Sequence, residues 1–224
     1  MFTEDRYYLT LAAAFVRGRL GLTGSPLETL SPADMADLLR AGQAAGLRLH
    51  KFKRTMGLPR VRRVLGLLHG LRPTRLLDIG CGRGTFLWPL LEAFPTLPVT
   101  AADTDERRVA DAGAIRRGGL TSLTAARTDA TRLAFGDNAF DVVTLLETLE
   151  HIPDAPRALA EAVRVARRFV VLSVPSHADD NPQHLHLFPR ARIADLFAQA
   201  RAERVSLEGV LNHLIAVARL PAVS

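Results

Sequence analysis

Apolar residues recur at helical spacing across residues 3–20, with Tyr8, Leu11, Ala12 and Phe15 on one face and Gly21 after the last turn. Gly24-Ser25-Pro26 marks a loop. A second helix is predicted from Pro32 to about Ala45: Ser31 supplies an N-cap, Pro32 suits the first helical position, and Asp34 complements the dipole. A third runs from about Pro59 to His69 and stops before Gly70. Beyond residue 75 the pattern changes. Short apolar runs at 75–79, 98–103, 121–127, 140–146 and 168–174 read as strands, and helical stretches at 85–94, 105–117, 155–166 and 190–201 alternate with them. Such alternation predicts a parallel sheet with helices on both faces. Two further strands, 203–207 and 213–219, lie around Glu208-Gly209, and Trp88-Pro89 predicts a local distortion early in its helix. The expected fold class is α/β, a doubly wound, seven-stranded, mostly parallel sheet with a helical N-terminal extension.

One stretch carries chemistry by its form. Leu76-Leu77-Asp78-Ile79 runs straight into Gly80-Cys81-Gly82-Arg83-Gly84, three glycines at alternate positions before a helix. A strand, a tight turn and a helix N-terminus let backbone approach a ligand closely, because no Cβ intervenes. That geometry suits a nucleoside cofactor. The second strand ends in Asp103, 25 positions after Asp78, where a carboxylate can accept both hydroxyls of an adenosine ribose. Arg127-Thr128-Asp129-Ala130 follows the third strand, and Phe140 to Leu146 forms the fourth. A dinucleotide fingerprint would need glycine at Thr85, so the dehydrogenase reading is the weaker one.

These four motifs, in this order, resemble the class I S-adenosylmethionine-dependent methyltransferases over roughly residues 70–220. The resemblance implies an S-adenosylmethionine site made by Asp78, Gly80, Cys81, Gly82, Asp103, Thr104, Asp129, Ala130 and Leu146, with Asp129 at the adenine amino group and Asp78 near the methionine ammonium. It implies that residues 71–224 form the cofactor-binding methyltransferase domain and that the last strand inserts antiparallel. Residues 1–70 would then be a helical cap, either over the substrate side of the cleft or shielding a sheet face.

Composition narrows the setting. No run of 18 apolar residues exists, so no membrane span is expected. One cysteine excludes an internal disulfide, and Glu4 and Asp5 break any basic-then-apolar export pattern, so a cytoplasmic address is expected. Of 29 basic residues only Lys51 and Lys53 are lysine, a bias that coding composition alone can produce. The stretch Arg48 to Arg54, with Arg60, Arg62 and Arg63, is either an anion-binding surface or a solvated helical face.

The acceptor chemistry is expected after the fourth strand, at Glu147-Thr148-Leu149-Glu150-His151-Ile152-Pro153-Asp154. Strand ends at a switch point face the ligand. Glu147, Glu150 and His151 converge if the chain turns helical there, since residues three or four apart share a face. The loop after the fifth strand, Asp179 to Phe188, offers His184 and His186. Glu147, Glu150, His151 and one of His184 and His186, with His186 the one assigned, are therefore candidate ligands for a divalent cation (magnesium, manganese or zinc), and Glu147, His151 and His184 are candidate catalytic groups. The Glu-x-x-Glu-His element resembles two metal-dependent branches, the RNA 3′-terminal 2′-O-methyltransferases and the catechol O-methyltransferases of quinone biosynthesis. A bound cation can lower the pKa of an acceptor hydroxyl, and His184 can alternatively serve as base without metal. Cys81 is expected to fill space beneath the cofactor, and His213 to be packed. The leading functional expectation is O-methylation of a small-molecule hydroxyl; an RNA methyltransferase of 2′-O type and a non-catalytic cofactor-binding module are the alternatives.

Overall fold

The structure is a computed structural model that describes residues 3–178 and 180–222, with the side chains of residues 3–5 left undescribed. Met1 and Phe2 of the N-terminal extension and Asp179 of the histidine-rich loop lie outside the described residues.

Three helices precede the sheet: α1 (Thr3–Leu20), α2 (Pro32–Ala44) and α3 (Pro59–Leu71). Ser31 caps α2 in a full capping box with Asp34, with Pro32 in the first turn. From Leu76 onward the chain alternates: β1 (Leu76–Ile79), α4 (Leu87–Ala93), β2 (Val99–Asp103), α5 (Glu106–Arg117), β3 (Leu123–Arg127), β4 (Phe140–Leu146), α6 (Ala155–Val165), β5 (Ala166–Pro175), α7 (Arg190–Gln199), β6 (Arg204–Val210) and β7 (His213–Arg219). The described strands make one seven-stranded sheet in the order β3-β2-β1-β4-β5-β7-β6. The contacts among β1 to β5 are parallel, and β7 inserts antiparallel to both β5 and β6. The order reverses between β1 and β4, which sets the ligand crevice beyond the C-terminal ends of those strands.

Central strands β1, β2 and β4 are buried along nearly their whole length, which is why they read as continuous apolar runs rather than alternating ones. Two cores flank the sheet. One joins α1, α3, α4 and α5 to one face, and the other joins α6 and α7 to the opposite face. The N-terminal helices therefore share a core with the sheet. Helix α1 lies along α5 at backbone contact: Gly18 meets the Ala114 carbonyl and Gly118 meets the Ala14 carbonyl, and a Cβ at either position would collide with backbone.

Three boundaries differ from the sequence pattern. Helix α4 starts at Leu87, so Pro89 sits within the first turn, where its missing N–H is not needed and the expected distortion is avoided. Strand β5 follows α6 without a loop, because Ala166 already pairs with Phe140. The segment after β4 forms a 3₁₀ turn, Leu149–His151, rather than an α-helix.

Candidate functional site

The glycine turn shows why those residues recur. Gly80, Gly82 and Gly84 have φ of 74°, 55° and 84°, the left-handed region that other residues avoid. A Cβ on Gly80 would strike the Thr148 side chain, and one on Gly84 would strike the Trp88 indole. Around Gly82 the nearest neighbour of such a Cβ is the Gly80 carbonyl at 3.7 Å, so this face of the turn is open to a ligand.

Asp103 holds the turn in place. Its carboxylate accepts from the Gly82 N–H (2.9 Å) and the Asp105 N–H (3.0 Å), with the Arg108 guanidinium at 3.3 Å. A cleft of about 550 Å³ opens beside it, lined by Gly80, Gly82, Asp103, Thr104, Asp129 and Ala130, and also by Glu147 and His151. Asp129 is exposed, and its Oδ1 accepts from the N–H and hydroxyl of Thr131, both at 2.8 Å. A smaller cavity of about 140 Å³ adjoins the cleft and contains Asp78, Cys81, Leu146 and Glu147, with Arg60 and Phe86 at its edge. Arg60 belongs to α3, so the N-terminal segment does border the crevice while α1 lies against α5.

Asp78 is fully buried and accepts a hydrogen bond from Thr144 Oγ1 at 2.6 Å. Burial pushes its carboxyl up to about 7; the Thr144 bond opposes this and the Asp103 charge adds to it. Thr144 is the register partner of Asp78 across β1 and β4, so the pairing follows from strand alignment. Burial, then the carboxylates of Asp78 and Asp103, pushes the Cys81 thiol far above its ordinary range, which disfavours the thiolate that a nucleophile needs.

The expected convergence of Glu147, Glu150 and His151 needs a helical turn beginning at Glu147. Instead Glu147 has φ 53°, an unusual conformation for a side-chain-bearing residue. Its carboxylate swings toward β5 and β7, accepting from Ser173 Oγ (2.7 Å) and standing 3.0 Å from His213 Nε2. His213 is thus part-buried against Glu147 rather than lining the cleft. Antiparallel insertion explains it: β7 begins beside Pro175, at the C-terminal end of β5. Nδ1 of His213 faces the Leu211 carbonyl at 2.8 Å, so both ring nitrogens point at acceptors.

Glu150, His151 and His184 do come together, with one potential ligand atom from each lying within 4.8 Å of the others. Glu150 is fully buried. His151 Nδ1 faces the Gln183 carbonyl at 2.9 Å, which makes that nitrogen the N–H and leaves Nε2 as the lone-pair atom. The His151 and His184 rings lie 4.8 Å apart, and the Leu185 N–H donates to the Glu150 carbonyl. His186 is not in this group. Its Nε2 faces the carbonyls of Ile152 (3.0 Å) and Pro153 (3.2 Å), a bond that docks its loop onto the segment after β4. Among the described residues, then, the possible donor set is Glu150, His151 and His184, without Glu147 and His186.

Comparison with known proteins now bears on what the cleft is for. Residues 77–172 match the family described as methyltransferase domain. This segment is similar to a methyltransferase domain. It contains the glycine turn, all three strand-end carboxylates, and the Glu147–His151 segment. Malonyl-[acyl-carrier protein] O-methyltransferase of Geobacter sulfurreducens is 30% identical over 144 residues, 63% of this chain and 49% of the relative. Nocamycin O-methyltransferase of Saccharothrix syringae is 35% identical over 111 residues, 49% of this chain and 40% of the relative. The matched part thus spans half or less of these curated relatives. Among solved structures, a SAM-dependent methyltransferase from Aquifex aeolicus shares the fold at a TM-score of 0.63 and 20% identity, over 74% of this chain and 92% of that one. The likeness is one of fold, the expected doubly wound type. Among the described residues no helix is long and apolar enough to cross a membrane.

Proposed function

We propose that this chain transfers a methyl group from S-adenosylmethionine to a hydroxyl of a small-molecule acceptor. The observation that carries the reading is the ordered set of carboxylates around one glycine turn. Asp103 and Asp129 line the cleft beside the open face of Gly82, and Asp78 lies in the adjoining cavity. Asp103 suits the ribose hydroxyls, Asp129 with Ala130 the adenine, and buried Asp78 the cationic methionine end. The O-methyltransferases among the relatives support an oxygen acceptor.

The sulfonium is already an activated methyl donor, so the chain's task is orientation and proton removal. Glu147 lines both the cleft and the smaller cavity, which suits it to receive a hydrogen bond from the acceptor where the two meet. His151, with Nε2 as its lone-pair atom, and His184 are the candidate bases. Glu150, His151 and His184 fit a divalent cation by donor type and spacing. When bound, a cation would lower the pKa of the acceptor hydroxyl.

Calorimetry with S-adenosylmethionine, its demethylated product and NAD tests the cofactor. Binding of the first two and not of NAD is expected; binding of NAD alone would overturn the reading. Labelled cofactor with cell extract, resolved into small molecules, RNA and protein, reports the acceptor class, with label expected among small molecules. Elemental analysis, then transfer after chelation and re-addition of magnesium, manganese or zinc, tests the cation. Full transfer by the chelated protein together with a silent Glu150→Ala would remove it.

A further inference from the structure

On the outer side of the glycine turn lies a second groove, of about 780 Å³, between α1, the 3₁₀ turn Leu49–Lys51 and the start of α5. Six cationic side chains line it, Arg19, Arg48, Lys51, Arg83, Arg107 and Arg108, against one carboxylate, Asp111. The whole chain carries 29 basic and 23 acidic residues. A surplus of five in this groove therefore accounts for most of the molecule's positive charge. The cations come from separate segments, so no single solvated helix face explains the concentration.

Asp111 is already engaged, bonding Arg19 (2.6 Å) and Lys51. Lys51 is further fixed with its ammonium 3.8 Å from the Phe15 ring centroid. Burial lowers its pKa despite the Asp111 bond, and the Arg19 charge adds to that lowering. Arg108 turns to Asp103 and Asp105. Arg48, Arg83 and Arg107 have no ion-pair partner among the described residues and are exposed at the groove. The buried Trp88 indole and Leu87 form an apolar wall behind them. A concave wall of low polarity beneath like charges strengthens their attraction for an anion.

We propose that this groove binds a phosphorylated ligand, with Arg48, Arg83 and Arg107 holding two or more phosphate charges. Guanidinium groups match phosphate oxygens bidentately, and three of them favour a pyrophosphate or a pair of phosphodiesters over a single small anion. The groove meets the cofactor cleft at Gly82 and Arg108, which line both. A ligand held here sits beside the cofactor rather than in its place. The inference stands apart from the methyl-transfer reading.

The chain has one tryptophan, Trp88, which lines the groove and an adjoining recess with Lys53. Its emission therefore reports occupancy directly. The full chain is titrated with inorganic phosphate, pyrophosphate and a 5′-phosphorylated single-stranded RNA at fixed ionic strength, with calorimetry in parallel. Pyrophosphate is expected to give a saturable Trp88 response at least tenfold tighter than phosphate. Arg48→Ala/Arg107→Ala should weaken it at least tenfold, while the charge-matched control Arg62→Ala/Arg192→Ala, on exposed residues outside the groove, should leave it within twofold. Tighter RNA binding with a steep salt slope identifies the phosphate source as nucleic acid; a response confined to pyrophosphate identifies a small ligand. Equal losses in both double variants, no saturable response, or competition with the demethylated cofactor would each overturn the proposal. Failure of the cofactor to bind while pyrophosphate still does would overturn only the methyl-transfer reading.

Discussion

Replacing Asp78 by asparagine isolates the most unusual charge in the molecule. The side chain is fully buried, and burial carries its carboxyl from 3.8 to about 7, against the opposing Thr144 bond. At about 1.4 kcal/mol per pH unit, ionising it in the folded state costs about 4 kcal/mol relative to the unfolded chain. The sign follows from proton counts. Between about pH 4 and 7 the folded protein holds a proton there that the unfolded chain has lost, so stability falls as pH rises through that window and levels off above it. Asparagine stays neutral and still accepts from Thr144 Oγ1. Urea unfolding from pH 4 to 8 should show Asp78→Asn matching the wild type at the acid end and exceeding it by up to about 4 kcal/mol above pH 7. A cationic ligand end beside Asp78 should favour the ionised form. Cofactor binding at pH 6 should then release most of one proton, seen as a buffer-dependent heat, and almost none at pH 8. Stability curves that run parallel for the two proteins across the whole range would refute the reasoning.

Three other outcomes are expected. Asp103→Ala should weaken S-adenosylmethionine by about 1.5–3 kcal/mol through the loss of a charged acceptor, read by calorimetry with a thermal melt as folding control. Gly84→Ala combines a left-handed penalty of about 1–2 kcal/mol with overpacking against Trp88 of about 1–3 kcal/mol, so a lowered unfolding midpoint and an altered Trp88 emission should appear together. Cys81, buried and with its thiol pushed up by burial, should resist iodoacetamide at pH 8, and Cys81→Ser should keep the cofactor affinity of the wild type.

The parts of the fold that were legible were those in which one segment determines its own environment. Central strands buried on both faces read as apolar runs, and a carboxylate within or at the end of such a run stands out, as Asp78 does one residue before the end of β1 and Asp103 at the end of β2. The glycine turn was equally local, since three left-handed residues in five leave few alternatives to glycine. The acceptor side was not local. Glu147 adopts φ 53° while its carboxylate is bonded to Ser173 and His213, residues 26 and 66 positions away, and nothing in Glu147-Thr148-Leu149-Glu150 signals that pull. With Glu147 turned away, helical spacing no longer governs the segment, and His184 rather than His186 comes to stand beside Glu150 and His151. Part of the cationic groove was legible, since Arg48 and Lys51 lie in the basic stretch 48–54; the rest was not, because Arg19, Arg83 and Arg107 belong to other segments. Thr144 could have been found by aligning β4 on β1.

The placement of β7 between β5 and β6 also sets an order of assembly. During synthesis β6 emerges before β7, which among the described residues is its one neighbour in the sheet. The β5 edge likewise stays open until β7 arrives to pair along its length from Phe169 to Pro175. Strands β1 to β5 pair without the last hairpin, so the glycine turn and its carboxylates do not depend on it for their strand neighbours. The last hairpin closes afterwards, bringing His213 against Glu147. Until that hairpin forms, the β5 edge is left unpaired and open to neighbours.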